Sequence, residues 1–110
     1  MIQDRLEKIE AKVQGAPNIP DDTKTQLLSL LGDLKTEIAA LAQTHDENAQ
    51  SIAHFTDVST QEVTNAEKQP EKVDAALEGL AGSVTGFETT HPRLAQIVNR
   101  LAAALSSVGI

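Results

Sequence analysis

Cysteine, tryptophan and tyrosine are absent from the 110 residues, and the only aromatic side chains besides histidine are Phe55 and Phe87. Without cysteine the chain has no disulfide, no thiolate nucleophile and no cysteine-based zinc or iron–sulfur site. Because aromatics make up 2% of a chain that is 40% hydrophobic, the apolar residues are almost all leucine, isoleucine, valine and alanine. This composition favours packed helices over sheets, whose strands are rich in aromatic residues.

Positive charge is also scarce, with nine basic side chains against sixteen acidic ones and a formal net charge of -7. An acidic surface repels phosphate backbones and anionic lipids, so we expect no nucleic-acid partner. No segment approaches the roughly 20 apolar residues that a membrane span requires. The charged N-terminal segment lacks the apolar stretch of a signal peptide, so we expect a cytoplasmic protein with no membrane span.

Proline divides the chain into segments in which apolar residues recur at steps of three and four, the spacing of one helix face. Proline is tolerated in a first helical turn and excluded from the interior, so Pro20, Pro70 and Pro92 are read as helix starts. The sequence predicts a single domain over residues 1–110, with helices at roughly 2–14, 21–67, 70–89 and 92–108.

The second helix has the strongest apolar stripe. Its register continues past Leu41 through His45 and Asn48 to Ile52 and Phe55, with no glycine or proline between residues 33 and 69. One helix of residues 21–67 would be roughly 70 Å long at 1.5 Å per residue. The main alternative is a kink or short break near residues 44–48. In a continuous helix the polar residues in the seam would fix its register or partner number; otherwise they mark a local break in packing.

Small residues form a second stripe on the third helix, at Ala75, Gly79, Gly82 and Gly86, opposite the large apolar residues. Three glycines in a helix cost roughly 3 kcal/mol relative to alanine. Either another helix backbone approaches closely along this stripe, or the segment is a marginal helix that bends or frays.

The last helix has a wide apolar face after Pro92, and we expect His91 at its cap or a neighbouring position. At the other end, Gly109 can adopt the left-handed conformation that closes a helix, and Ile110 can then fold back on Leu105.

Histidine and carboxylate residues give a weak metal-binding pattern. His45 and His54 are nine residues apart and lie on opposite faces of a straight helix, so they cannot bind one ion together. His54 and Asp57 would supply only two ligands. No serine is evidently placed beside His91 as a nucleophile, and the glycine-rich segment at 79–83 lacks the lysine of a nucleotide loop. The sequence therefore predicts no enzyme, no metal site and no cofactor.

The segment from Gly86 to Leu94 (GFETTHPRL), with Asn99-Arg100-Leu101 and the final Val108-Gly109-Ile110, resembles the end of a bacterial family known as domain of unknown function 4404. The short first helix, the Pro/Asp break and the leucine-rich second helix are also similar to that family. The resemblance implies an intact helical domain across the chain. It brings no activity, cofactor or catalytic residue.

These features predict an all-α fold of elongated helical hairpins, or a coiled-coil-like bundle of about four helices with one long central helix. Its apolar stripes exceed what the shorter helices can cover, so we expect a homo-oligomer, with a dimer favoured. The residues predicted to form the helix seams and interface are Leu27, Leu31, Leu34, Ile38, Leu41, Ile52, Phe55, Gly79, Gly82, Gly86, Leu94, Leu101 and Leu105.

Three functions remain open at this point. The leading hypothesis is a non-enzymatic helical module that self-associates and presents a surface to a protein partner. The first alternative is a small regulatory or stress-associated factor that binds a larger machine through its C-terminal helix. The second is an enzyme or metal-binding protein whose site forms between chains.

Overall fold

The computed structural model describes residues 2–109, and within them the backbone forms helices and no strand. The fold is therefore all-α, as the composition predicts. The helices are α1 (Ile2–Gly15), α2 (Asp21–Ala42), α3 (Asp46–Thr64), α4 (Pro70–Gly82) and α5 (Pro92–Gly109).

Three helix starts lie at the predicted prolines. Pro20 caps α2, and its carbonyl accepts the first hydrogen bond of that helix from Lys24 N at 2.8 Å. Pro70 and Pro92 are the first residues of α4 and α5, where proline loses no internal hydrogen bond. The His91 carbonyl accepts a hydrogen bond from Ala95 N at 3.1 Å, which confirms His91 as the cap of α5. The predicted contact of Ile110 on Leu105 lies outside the described residues.

The prediction of one long helix over residues 21–67 is wrong, because the chain breaks between α2 and α3. The last helical hydrogen bond runs from His45 N to Leu41 O at 2.7 Å, and His45 then leaves helical geometry with φ -138° and ψ 61°. A straight helix would project far beyond the molecule, whose longest dimension is 37 Å. Bending instead folds α3 back and buries Ala49, Ile52 and Ala53, while the polar residues of the break stay in water.

The third predicted helix also ends early, at Gly82 instead of residue 89. Ser83 Oγ donates a hydrogen bond to the Leu80 carbonyl at 2.6 Å, and Gly86 has a φ of 97°, a left-handed conformation that favours glycine. The reading of this segment as a marginal helix is therefore correct beyond Gly82. Val84 still packs into the core from the turn that follows.

The helices enclose one apolar core, to which all five contribute. Helix α1 packs on α2 and α3, α2 packs on α5, and α4 packs on both α3 and α5. The molecule measures 37 × 24 × 22 Å with a radius of gyration of 12.9 Å. The expected elongated shape is therefore wrong for this chain, because its leucine stripe is covered by its own helices.

Helix α3 contributes a partly polar face to this core. Thr56 and Thr60 are buried and donate hydrogen bonds to the Ile52 and Thr56 carbonyls one turn earlier, at 2.7 and 2.8 Å. Ser59 is fully buried, and its hydroxyl has no hydrogen-bond partner among the described residues. Because a buried hydroxyl without a partner costs free energy, α3 is less strongly stabilised than its buried area suggests.

Candidate functional site

The predicted seam residues lie in two different environments. Nine of the thirteen are 0–1% exposed and pack against one another inside this single chain. These nine are Leu27, Leu31, Leu34, Ile38, Leu41, Ile52, Leu94, Leu101 and Leu105. Their burial removes them from any surface that the folded monomer presents.

Phe55 and Gly79 form a close contact between α3 and α4. A Cβ atom placed on Gly79 would lie 2.5 Å from Phe55 Cε1 and 2.6 Å from Cδ1, distances that a real side chain does not reach. Glycine at this position therefore lets the phenylalanine ring lie directly on the α4 backbone. The close neighbour of Gly79 is this side chain and not the backbone of another helix, as the stripe was predicted to accommodate.

The rest of that stripe has no close neighbour within the chain. A Cβ atom on Gly82 or Gly86 would meet nothing within 4 Å, and Ala75 is exposed. The expectation of a continuous close contact along the stripe is therefore wrong for the monomer. Gly86 lies beyond the end of α4 at Gly82 and so is no longer part of a helical stripe.

A shallow groove of about 350 Å³ runs between the outer faces of α4 and α5. Small or apolar side chains form its floor, and two carboxylates on α4, Asp74 and Glu78, form one rim. Leu77, Ala81, Ala102, Ala103 and Ser106 line the remainder. We call this feature the α4–α5 groove. Small side chains allow another helix to come close, and the carboxylates favour a cation on that helix.

A second groove, of about 520 Å³, lies between α1 and α3 and is lined only by polar side chains. Arg5 Nε lies 3.8 Å from Asp57 Oδ2, and Gln61 Nε2 donates a hydrogen bond to Asp57 Oδ1 at 3.1 Å. Lys8, Lys12, Asp4 and Gln50 complete the lining. Because the charges are of both signs and no aliphatic or aromatic residue lines it, this groove offers neither a strong field nor a hydrophobic anchor.

Two histidines that are 46 positions apart in the sequence lie side by side in the structure. The rings of His45 and His91 are 6.2 Å apart between centroids, and Phe87 packs edge-on against both, at 5.5 and 5.6 Å. Each histidine precedes a helix, and its Nδ1 is hydrogen-bonded to the hydroxyl of the preceding threonine, Thr44 or Thr90, at 2.8 and 3.0 Å. We call these three rings the aromatic cluster.

Sequence reasoning did not find this cluster, because no local pattern reveals contacts between distant turns. The third histidine, His54, lies apart from it and packs against Phe55 with centroids 5.4 Å apart. The two-ligand pattern of His54 and Asp57 gains no third ligand. Within residues 2–109 no group of three or more histidine or carboxylate side chains is placed to hold a metal ion.

None of the helices in the described part of the chain has both the length and the apolar character needed to cross a membrane. The surface features described above are those of a small all-helical protein, with the α4–α5 groove, the polar groove between α1 and α3 and a partly buried aromatic cluster.

A family model agrees with this class. The model described as "Domain of unknown function (DUF4404)" matches residues 39–110, from the last turn of α2 through α5. The chain belongs to this family, as its C-terminal motif predicts. No curated protein and no solved structure matches the chain significantly.

Proposed function

We propose that this chain is a non-enzymatic helical interaction module, which self-associates and presents the α4–α5 groove to a helix of a protein partner. The observation that carries the interaction role is the groove itself. Among its apolar residues Ala81 and Ala103 are exposed, and Leu77 and Ala102 are only partly buried although they pack against the core. A helix laid into such a groove buries apolar surface at about 25 cal/mol per Å².

The groove also specifies the chemistry of the helix that fits it. Ala81 and Ala103 are exposed, and neither has a large side chain that could insert into a pocket on the partner. The matching helix therefore presents small or medium apolar residues. Asp74 and Glu78 lie one turn apart on the same rim. A lysine or arginine on the flank of the partner helix would pair with them, which favours a basic amphipathic helix.

A site-specific photo-crosslinking residue tests the groove. Introduced at Ala103, it should capture the same protein from native extract in repeated experiments, and the capture should be lost on Ala81→Arg, which fills the groove. Ala11, an exposed alanine on α1 far from the groove in sequence, gives the matched control position. Equal capture from both positions, or capture that survives Ala81→Arg, would show that the groove is not the docking surface.

Self-association is the second half of the proposal, with a dimer as the favoured state. Light scattering after gel filtration measures the mass directly, and we expect a species of two chains whose share grows with protein concentration. A mass of one chain at all concentrations would contradict this half and leave the groove as the whole function. In this proposal the module and the basic helix of its partner meet in the cytoplasm.

The same groove favours one alternative function. Three of its seven lining residues come from α5, so a small regulatory factor that binds a larger machine through its C-terminal helix would use the same residues. The crosslinking experiment distinguishes the two by what is captured: a component of a large assembly would favour the regulatory factor.

A further inference from the structure

The break between α2 and α3 is weakly specified. Among the described residues only Gly86 has a positive φ, so residues 43–45 turn the chain without a left-handed residue, and they contain neither glycine nor proline. Gln43 keeps helical angles of -67° and -28°, and no side chain caps the start of α3. A helix end normally has such stop signals. We call residues 43–45 the hinge.

Few hydrogen bonds separate the bent chain from a straight helix. His45 N still bonds to Leu41 O, and Ala49 N bonds to His45 O at 3.0 Å, both with helical spacing. The N–H groups of residues 46, 47 and 48 lack their helical partners, the carbonyls of residues 42, 43 and 44, while Gln43 N and Thr44 N bond to carbonyls three residues back, Ala40 O at 3.3 Å and Leu41 O at 3.1 Å. Rotating the backbone at the hinge would complete these three bonds and join α2 to α3.

The buried faces of the two helices are in phase for that straight helix. Leu27 and Val63 are separated by 36 residues, which is ten turns at about 3.6 residues per turn. Extending the α2 stripe at this period from Leu27 falls within half a residue of a buried position at each turn of α3. These buried positions are Ala49, Ile52, Thr56, Ser59 and Val63. The sequence is therefore compatible with both the bent and the straight forms.

We call the α1–α2 pair, with the loop between the two helices, the N-terminal hairpin. Lys35 Nζ bonds to Glu10 Oε1 at 2.9 Å and Gln3 Nε2 donates to the Lys35 carbonyl at 3.1 Å, both within the hairpin. Three polar links join it to the α3–α5 unit, and the two ion pairs among them are long. The three links are Arg5 to Asp57 at 3.8 Å, Arg93 to Glu37 at 3.4 Å, and Asn18 to the Val63 carbonyl at 3.0 Å.

We propose that two copies of this chain exchange their N-terminal hairpins, with the hinge straightened into one helix over residues 21–64. This inference rests on the proposed self-association and names its mechanism. Every contact between the hairpin and the α3–α5 unit is re-formed with the second copy, as in other exchanged dimers. At the hinge the His45 contacts with Phe87 and His91 are given up, and three helical hydrogen bonds are gained. The α4–α5 groove is made within one α3–α5 unit and stays available for a partner.

A proline at position 46 separates the two forms. Asp46 is the first residue of α3, its N–H makes no backbone hydrogen bond to α2, and His45 is already outside helical geometry. Proline fits these conditions in the bent form. Inside a straight helix it would remove a hydrogen bond and clash with the carbonyl of residue 42. Asp46→Pro should therefore weaken dimerisation by roughly a hundred-fold or more and leave the monomer folded.

Asp46→Ala is the matched control, since it removes the same charge and is compatible with both forms. It should keep the dimer, and circular dichroism on both variants verifies that the monomer is helical.

His45→Ala gives the opposite test. It removes the ring contacts that hold the bend and adds helix propensity, so it should raise the dimer fraction at a given concentration.

A crosslink between single-cysteine variants shows which chains are in contact. The chain has no cysteine of its own, and the Glu37 and Arg93 side chains meet between α2 and α5. When Glu37→Cys and Arg93→Cys proteins are unfolded together, refolded at high concentration and treated with a short bis-maleimide, exchange should give a covalent heterodimer. Ala103→Cys alone serves as the control, because it links to itself only in a dimer that pairs through the α4–α5 groove.

The outcomes distinguish the mechanism from the proposed function. A dimer that is lost on Asp46→Pro and linked between positions 37 and 93 supports exchange. A dimer that persists with Asp46→Pro, or that links through position 103 and not between 37 and 93, overturns exchange and leaves self-association standing. A monomer at all concentrations, even after refolding at high concentration, overturns both.

Discussion

At the scale of single residues, Gly79 is the position where a missing side chain matters most. Because a Cβ would lie 2.5 Å from Phe55 Cε1, Gly79→Ala must displace the ring. Overpacking costs about 1–3 kcal/mol, and the better helix propensity of alanine returns about 1, so we expect a net loss of up to about 2 kcal/mol in unfolding free energy. Chemical denaturation of the monomer measures it.

Gly82→Ala is the control on the same helix, since a Cβ there meets nothing within 4 Å. It should cost nothing and raise stability by up to about 1 kcal/mol. Combining Gly79→Ala with Phe55→Val should recover part of the loss, and the double-mutant cycle then gives the coupling between the two sites. Equal effects of the two glycine substitutions would contradict the close contact.

At the scale of helices, proline made the starts of three helices predictable from the sequence. Pro20, Pro70 and Pro92 restrict the backbone so strongly that tertiary packing cannot override them, and each of these helix starts was predictable. The C-terminal ends of α2 and α4 were not predictable in this way. Straight and bent forms differ by three hydrogen bonds at the hinge, so a local pattern does not decide between them. The choice depends on apolar burial by α1 and α5, which are distant in sequence.

The Lys35 ion pair permits a test of the hairpin as a unit. Its hydrogen bond to Glu10, helped by the charges of Glu10 and Glu7 and opposed by desolvation, raises the pKa of Lys35 above the ordinary 10.5. A pKa that is higher in the folded state stabilises the protein at pH values below 10.5, and this contribution is lost as the pH rises through the folded pKa. Lys35→Met should therefore lower the melting midpoint at neutral pH, by an amount that shrinks above pH 10.5.

Lys24→Met removes one positive charge from the same helix, where the described residues show no ion pair, and so controls for net charge. At each pH the melting midpoint of the variant is subtracted from that of the wild type. Alkaline destabilisation of the whole protein affects both proteins and therefore cancels in this difference. A difference that stays constant as lysine loses its proton would mean that the Glu10 pair does not stabilise the hairpin.

At the scale of the whole molecule, the predicted site and the observed core are largely the same residues. Leucine and isoleucine at steps of three and four identify buried positions without saying which helix covers them. The nine seam residues in α2, α3 and α5 are covered within the chain, so the expected assembly does not follow from their exposure. The aromatic cluster and the α4–α5 groove depend on how distant segments meet, and for that reason sequence periodicity did not reveal them.

Leu34 tests whether the two halves of the molecule share one core. It is fully buried on α2, the helix that joins α1 to α5, whereas Leu28 on the same helix is only partly buried. Leu34→Ala should cost about 2–5 kcal/mol of unfolding free energy, and Leu28→Ala less than about 1.5. Urea unfolding at a concentration where the chain is monomeric should show a lower midpoint with an unchanged slope.

Helicity and amide exchange should also report a single transition. A hairpin bound only loosely to the α3–α5 unit would unfold first and separate the two signals. Two separate transitions would mean that the hairpin and the α3–α5 unit are stable independently, and equal losses for the two leucines would contradict their difference in burial.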